Sequence, residues 1–109
     1  MRTLTIYLII FALYLPCISV AQSDGLIASG YQNLESKNFS AAVNDFSMAL
    51  KENPRDTAAL SGIIRAHTLT ENFKEAQRYI DLALKDYHSS AEFHMRRGIL
   101  NNLKGQPRK

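Results

Sequence analysis

Residues 38–51, NFSAAVNDFSMALK, and residues 72–85, NFKEAQRYIDLALK, are identical at six positions that are each 34 residues apart. Leu26 and Leu60 add a further pair at the same spacing. A fixed period of this size is the sequence signature of an architecture built from stacked repeats. We therefore predict that most of the chain folds as similar units packed side by side.

Apolar residues in the two segments recur at helical spacing. Ala42, Phe46 and Ala49 lie at i, i+4 and i+7, which places them on one face of a helix. Asn53-Pro54 ends that helix, because a residue before proline avoids the helical region. Similar stripes precede and follow it, and no segment alternates with period two for long enough to predict a strand. The sequence therefore predicts an all-α fold of two helical hairpins and one further helix at the C-terminal end.

Cap-forming residues predict where these helices begin. Polar residues stand before the apolar stripes at Asn38, at Asp56 or Thr57, at Asn72, and at Ser89 or Ser90. Glu75 follows Asn72 by three residues, which is close to the capping-box pattern. The last helix is expected to run to about Lys104, before Gly105 and Pro107.

Small residues mark the positions where the helices of a hairpin should approach most closely. We expect this role for Gly30 on the first helix and Gly98 on the last, and for four alanines on the second helices: Ala42, Ala49, Ala76 and Ala83. Ile64 lies 34 residues after Gly30, at the equivalent position of the second unit. The second hairpin is therefore expected to pack slightly wider. Phe46 and Ile80 should fill the space beside the close contacts.

The combined pattern resembles the tetratricopeptide repeat, whose signature includes Ala-x-x-x-Phe and a closing proline. The first unit, about residues 23–56, carries Ser29-Gly30, Ala42-x-x-x-Phe46 and Pro54. The second unit, about residues 57–90, carries Ala76-x-x-x-Ile80 and has His88 in place of the proline. Residues 91–109 supply only the first helix of a third unit. The resemblance implies a helical solenoid that serves as an adaptor or scaffold for a protein or peptide partner.

In this family the first helices of successive units line a concave groove. The resemblance places there Ile27, Tyr31, Leu34, Glu35, Ser61, Arg65, Thr68, Leu69, Met95, Ile99, Asn102 and Leu103. Tyr31 and Arg65 are the strongest candidates, since these residue types often carry binding energy at interfaces. The alternative for Tyr31 and Ile27 is that they only pack against the next helix. Some relatives hold a C-terminal carboxylate with Lys and Asn at those two positions, so an acidic tail is a weak candidate ligand.

The last helix leaves two interpretations open. We expect an apolar side formed by Phe93, Met95, Ile99, Leu100 and Leu103, and a polar side formed by His94, Arg97, Gly98, Asn101 and Asn102. A polar outer side is what a terminal repeat needs, which favours a capping helix. The alternative is a piece of a longer array, since residues 105–109 resemble a turn that opens another helix. If Phe93, Leu100 and Leu103 were left uncovered, the chain could instead function by self-association into a homo-oligomer.

Residues 1–21 have the layout of a secretory signal peptide. Arg2 precedes the apolar run 4–15, Pro16 interrupts it, and Ser19-Val20-Ala21 offers small residues before a cleavage point at Gln22. We therefore expect one domain, residues 22–109, exported to the periplasm or cell envelope or secreted. The alternative is a membrane anchor formed by residues 4–21, and only then would a membrane be a partner.

The composition argues against other function classes. The net charge of +3 is spread over interspersed charges, which is not the pattern of a nucleic-acid-binding surface. His67, His88 and His94 share no helix face at metal-ligand spacing, so no metal site is predicted. No nucleophile elbow or glycine-rich phosphate loop is present, so we predict no cofactor and no enzymatic activity.

Overall fold

The computed structural model describes residues 23–105, and these residues form five α-helices without a strand. The helices are α1 (residues 23–35), α2 (Phe39–Glu52), α3 (Thr57–Leu69), α4 (Phe73–Asp86) and α5 (Ala91–Gly105). Helices α1 and α2 form the first hairpin, α3 and α4 form the second, and α5 follows. The prediction of two helical hairpins and one further helix is confirmed. The predicted signal peptide lies outside the described residues.

Helix α3 is the centre of the stack. It contacts α2 on one side, α4 on the other and α5 beyond the hairpin. Eight of its thirteen residues are buried, whereas Ala58, Arg65 and Leu69 share one exposed face. A helix with so large an apolar fraction needs neighbours on several sides, so α3 depends on both units for its burial.

The core consists of two clusters that touch each other. The first is centred on Phe46 and Ile63, and the second on Ile64, Ile80 and Phe93. The half-buried side chains of Leu50 and Tyr79 pack against both clusters. The two units therefore share one continuous apolar interior, as expected for stacked repeats.

Two of the predicted helix caps form as hydrogen bonds. The Asp56 carboxylate accepts from the backbone N–H of Ala59 at 3.0 Å, and the Ser90 hydroxyl accepts from the N–H of Phe93 at 3.5 Å. Asn38 and Asn72 do precede α2 and α4, but neither side chain caps its helix. The capping box at Asn72 is therefore a wrong prediction, because Glu75 accepts from Arg78 at 2.9 Å instead.

The backbone explains why those two asparagines are not needed as side-chain caps. Lys37 and Glu71, which precede them, adopt positive φ angles of 63° and 59°. The N–H groups of Asn38 and Asn72 then donate to carbonyls near the end of the preceding helix, each at 2.8 Å. This is the Schellman arrangement, in which a left-handed residue ends a helix and satisfies its carbonyls. Both hairpins turn in the same way.

The close approach predicted at Gly30 is confirmed, and it involves a second glycine. A Cβ atom at Gly30 would lie 2.7 Å from Cε1 of Phe46, and one at Gly62 would lie 2.7 Å from Cε2. The Phe46 ring therefore packs directly against the backbones of α1 and α3. The prediction for Gly98 is wrong, since a Cβ there would meet nothing within 4 Å.

The last helix is only partly as predicted. Phe93 and Leu100 are buried in the second cluster, and His94, Arg97, Gly98, Asn101 and Asn102 are exposed. Met95 and Ile99, expected on the same side as Phe93, are exposed as well. The described helices also include none that is long and apolar enough to span a bilayer.

Candidate partner-binding groove

The predicted groove runs across α1, α3 and α5, and Tyr31 connects the first two of these helices. Its hydroxyl donates to the backbone carbonyl of Ala58, just inside α3, at 2.7 Å. Its ring meets that of Phe46 edge to face, with the centroids 5.0 Å apart. Burial raises the pKa of the Tyr31 phenol, and the positive charge of Arg96 opposes this effect. Tyr31 thus holds two units together while part of its surface faces the groove.

A polar network connects α3 to α5 in the same face. The hydroxyl of Ser61, a buried residue, donates to the Glu92 carboxylate. Arg96 donates from Nε to the Ser61 oxygen at 3.0 Å and from Nη2 to Glu92 at 3.3 Å. Every buried side-chain nitrogen and oxygen in residues 23–105 has a hydrogen-bond partner. A satisfied network of this kind favours one relative orientation of the two helices.

A cavity of about 180 Å³ opens between α3 and α5, which we call the α3–α5 cavity. It is lined by Arg65, Thr68, Leu69, Arg96, Ile99 and Leu103. Five residues of the predicted groove therefore meet around one depression: Arg65, Thr68, Leu69, Ile99 and Leu103. Thr68 is oriented there by its hydroxyl, which donates to the Ile64 carbonyl at 2.7 Å.

The remaining predicted groove residues do not line this cavity. Met95, Glu35 and Asn102 are exposed, and Ile27 is half-buried against the first core cluster. The placement of Leu34 in the groove is wrong, because its side chain is buried in that cluster. Since Ile27 and Tyr31 both pack on the first cluster, these two contribute to the core in addition to any role in binding.

Two residues of this face, Glu92 and Arg96, were not predicted from the sequence. Their spacing of four positions on a helix is a recognisable sign of an ion pair. Nothing in the sequence indicates that the pair reaches Ser61, because that contact depends on how α5 is rotated against α3. Arg96 was therefore not placed in the groove, although it lines the α3–α5 cavity.

The histidines contact other groups of the folded chain. His67 is buried and stacks on Tyr79 with the ring centroids 5.8 Å apart. Burial lowers the pKa of His67 below its usual value. His94 lies 2.7 Å from the carbonyl of His88 through Nε2. No group of three or more His, Cys, Asp or Glu side chains in residues 23–105 is arranged to hold a metal ion.

A second depression lies at the hairpin turns. It has a volume of about 360 Å³ and is lined by Phe39, Ser40, Val43, His67, Thr70 and Asn72. Its lining contains no Asp, Glu, Lys or Arg, and burial lowers the pKa of His67. The α3–α5 cavity, in contrast, is lined by two arginines.

Comparison with known proteins agrees with this architecture. A family model described as tetratricopeptide repeat matches residues 33–98. The match covers more than half of the chain and extends from the end of α1 into α5, so it includes Arg65, Thr68 and Arg96. No curated protein and no solved structure matches the chain.

Proposed function

Since the chain belongs to the tetratricopeptide repeat family, we propose that it is an adaptor that binds a protein or peptide partner across α1, α3 and α5. Repeats of this family generally mediate protein–protein interactions, and its members are typically scaffolds and not enzymes.

One observation carries the proposal: exposed apolar side chains surround an exposed arginine on the predicted groove. Leu69, Met95 and Ile99 are 51%, 56% and 46% exposed, and all three belong to α3 or α5. Arg65 lies beside Leu69 and Ile99 at the α3–α5 cavity. Clustered apolar surface of this kind marks interaction sites, and arginine is enriched where interfaces gain most of their energy.

A matched pair of double variants tests the groove. Arg65→Gln with Ile99→Ser removes one charge and one apolar side chain from the proposed surface. Arg97→Gln with Leu82→Ser removes the same chemistry from exposed positions that do not line the α3–α5 cavity. The tagged full chain is expressed in its native host and recovered with whatever it binds.

We expect the groove variant to lose the partner that the wild type recovers, while the control variant retains it. Circular dichroism checks that both variants keep the wild-type helicity. Recovery of the partner by both variants would show that the groove assignment is wrong. Recovery of nothing but further copies of the chain would favour self-association instead.

We further propose that the domain acts after export, in the periplasm or cell envelope or outside the cell. The support is the signal-peptide layout of residues 1–21. Amino-terminal sequencing of the protein from its native source should give Gln22 as the first residue. An intact start at Met1 in the membrane fraction would instead support the anchor formed by residues 4–21.

A further inference from the structure

We infer that the α3–α5 cavity receives an aliphatic side chain from a partner segment that also carries an Asp or Glu side chain for Arg65. This inference rests on the proposed function and adds the chemistry of the partner to it. It is carried by three features of the cavity: its size, the kind of side chains that line it, and the state of its two arginines.

The size of the cavity suits one side chain. At about 180 Å³ it is smaller than the roughly 300–1,000 Å³ of a site that encloses a whole small molecule. Leu69, Ile99 and Leu103 supply an apolar wall. An aliphatic anchor of a peptide fits this space and lining.

The two arginines of the cavity are in different states. Arg96 is already paired with Glu92 and with Ser61, so its charge is largely compensated. Arg65 forms no hydrogen bond or ion pair with any residue between 23 and 105. Its guanidinium group therefore retains its donors for a ligand.

A carboxylate is the group that best satisfies such an arginine. The planar guanidinium group offers paired donors whose geometry matches a carboxylate, and ionised hydrogen bonds are the stronger ones. No acidic residue lines the α3–α5 cavity. A partner carboxylate would thus approach two positive charges, of which one is unpaired, with no opposing charge in the wall.

The available guanidinium group of Arg65 changes what the sequence implied about acidic ligands. Ile27 and Tyr31 stand where some relatives carry the Lys and Asn that hold a C-terminal carboxylate, so an acidic tail was disfavoured. The structure places the available positive charge on α3 instead, beside an apolar cavity. The feature recognised is therefore an acidic side chain close to an aliphatic one, and a free C-terminus is not required.

Peptide pools with amidated C-termini test the inference directly. Each pool contains short peptides of otherwise random sequence with a central Leu and, two to four positions away, a fixed Glu, Gln or Lys. Fluorescence anisotropy measures their binding to the full chain. We expect the Glu pool to bind about tenfold more tightly than the Gln pool, which is the effect of one charge-assisted hydrogen bond. The Lys pool should bind more weakly than the Gln pool.

Two variants locate the effect. Arg65→Gln should make the Glu and Gln pools bind equally, whereas the control Arg97→Gln should preserve the difference. Replacing the central Leu of the peptides by Ser should weaken binding to the wild type by about tenfold or more. Together these results would place both the carboxylate and the aliphatic anchor at the α3–α5 cavity.

Three outcomes would overturn the inference. The Glu and Gln pools could bind wild type equally, Arg65→Gln could leave the preference for Glu unchanged, or no pool could bind at all. None of these outcomes decides the proposed adaptor function. That function is judged separately, by whether the partner from the native host is lost with the Arg65→Gln and Ile99→Ser variant.

Discussion

The two repeat units fill the same helical framework with different pairs of side chains. In the first unit Phe46 packs against glycine backbones at Gly30 and Gly62. In the second unit Ile80 replaces the phenylalanine and Ile64 replaces the glycine of the first helix, and both isoleucines are buried. An aromatic ring with a glycine and two isoleucines are alternative ways to fill one space at the density of a protein interior.

Packing in the two units is therefore determined by pairs of residues and not by single positions. Ile64 is expected to widen the second hairpin slightly, and Ile80, which is smaller than phenylalanine, is buried in the same cluster. The first unit, in contrast, concentrates its contacts on one ring, which also meets Tyr31.

Removing the ring should cost the most. Phe46→Ala is expected to lower the free energy of unfolding by about 4 kcal/mol, because it leaves a cavity against two glycines that cannot fill it. Ile80→Ala should cost about 3 kcal/mol by the same mechanism. Urea denaturation followed by circular dichroism measures both values. A smaller loss for Phe46→Ala than for Ile80→Ala would contradict the contrast between the units.

Adding one methyl group at Gly62 should destabilise the first unit. Gly62→Ala places a Cβ atom within the Phe46 ring contact, and such overpacking costs about 2 kcal/mol. The double variant Gly62→Ala with Phe46→Leu should lose less than the sum of the two single losses, because the smaller side chain makes room. Additive losses in the same denaturation assay would show that the two positions do not share one space.

The same change from glycine to alanine should stabilise the protein at Gly98. Gly98 lies inside α5 with nothing within 4 Å of its Cβ position, so alanine meets no steric cost. Alanine is favoured over glycine in a helix interior by about 1 kcal/mol. Gly98→Ala should therefore raise the denaturation midpoint, and a lower midpoint would reveal a close contact on this side of α5.

The stability of the fold should depend on pH through His67, a residue of the second unit. Burial lowers the pKa of His67, so the folded state favours the neutral ring. The unfolded chain binds a proton below its own histidine pKa of about 6.5, and stability must then fall as the pH decreases through that value. His67→Gln should reduce this dependence in the pH range from about 7 to 5. An unchanged pH profile of the unfolding midpoint would contradict the assignment to His67.

The helices and most of the core could be predicted from the sequence, because a period of 3.6 residues dictates which side chains share a face. Ala42, Phe46 and Ala49 follow that rule, and all three are buried. Gly62 could not be predicted, because its role depends on a ring that reaches across from the preceding unit. The helix starts at Asn38 and Asn72 were predicted correctly, but their side chains do not form the expected caps. The left-handed residues before them let the backbone N–H groups of Asn38 and Asn72 donate to the preceding helix instead.

The candidate site was less accessible to prediction from the sequence. Arg65, Thr68 and Ile99 could be placed together by the resemblance, since equivalent positions of successive first helices align. Arg96 was missed, because its contact with Ser61 depends on the rotation of α5 against α3. The α3–α5 cavity exists only between two helices, so no property of either helix alone indicates it.

Site-specific photocrosslinking tests most directly whether a partner binds across α1, α3 and α5, because the α3–α5 cavity lies within that surface. A photoreactive amino acid is placed at Ile99, at the α3–α5 cavity, or at Leu82 on α4, and both side chains are about half exposed in the wild type. Irradiation in the native host should crosslink a partner protein from position 99 and not from position 82. A partner crosslinked from position 82 alone, or equally from both positions, would contradict the account.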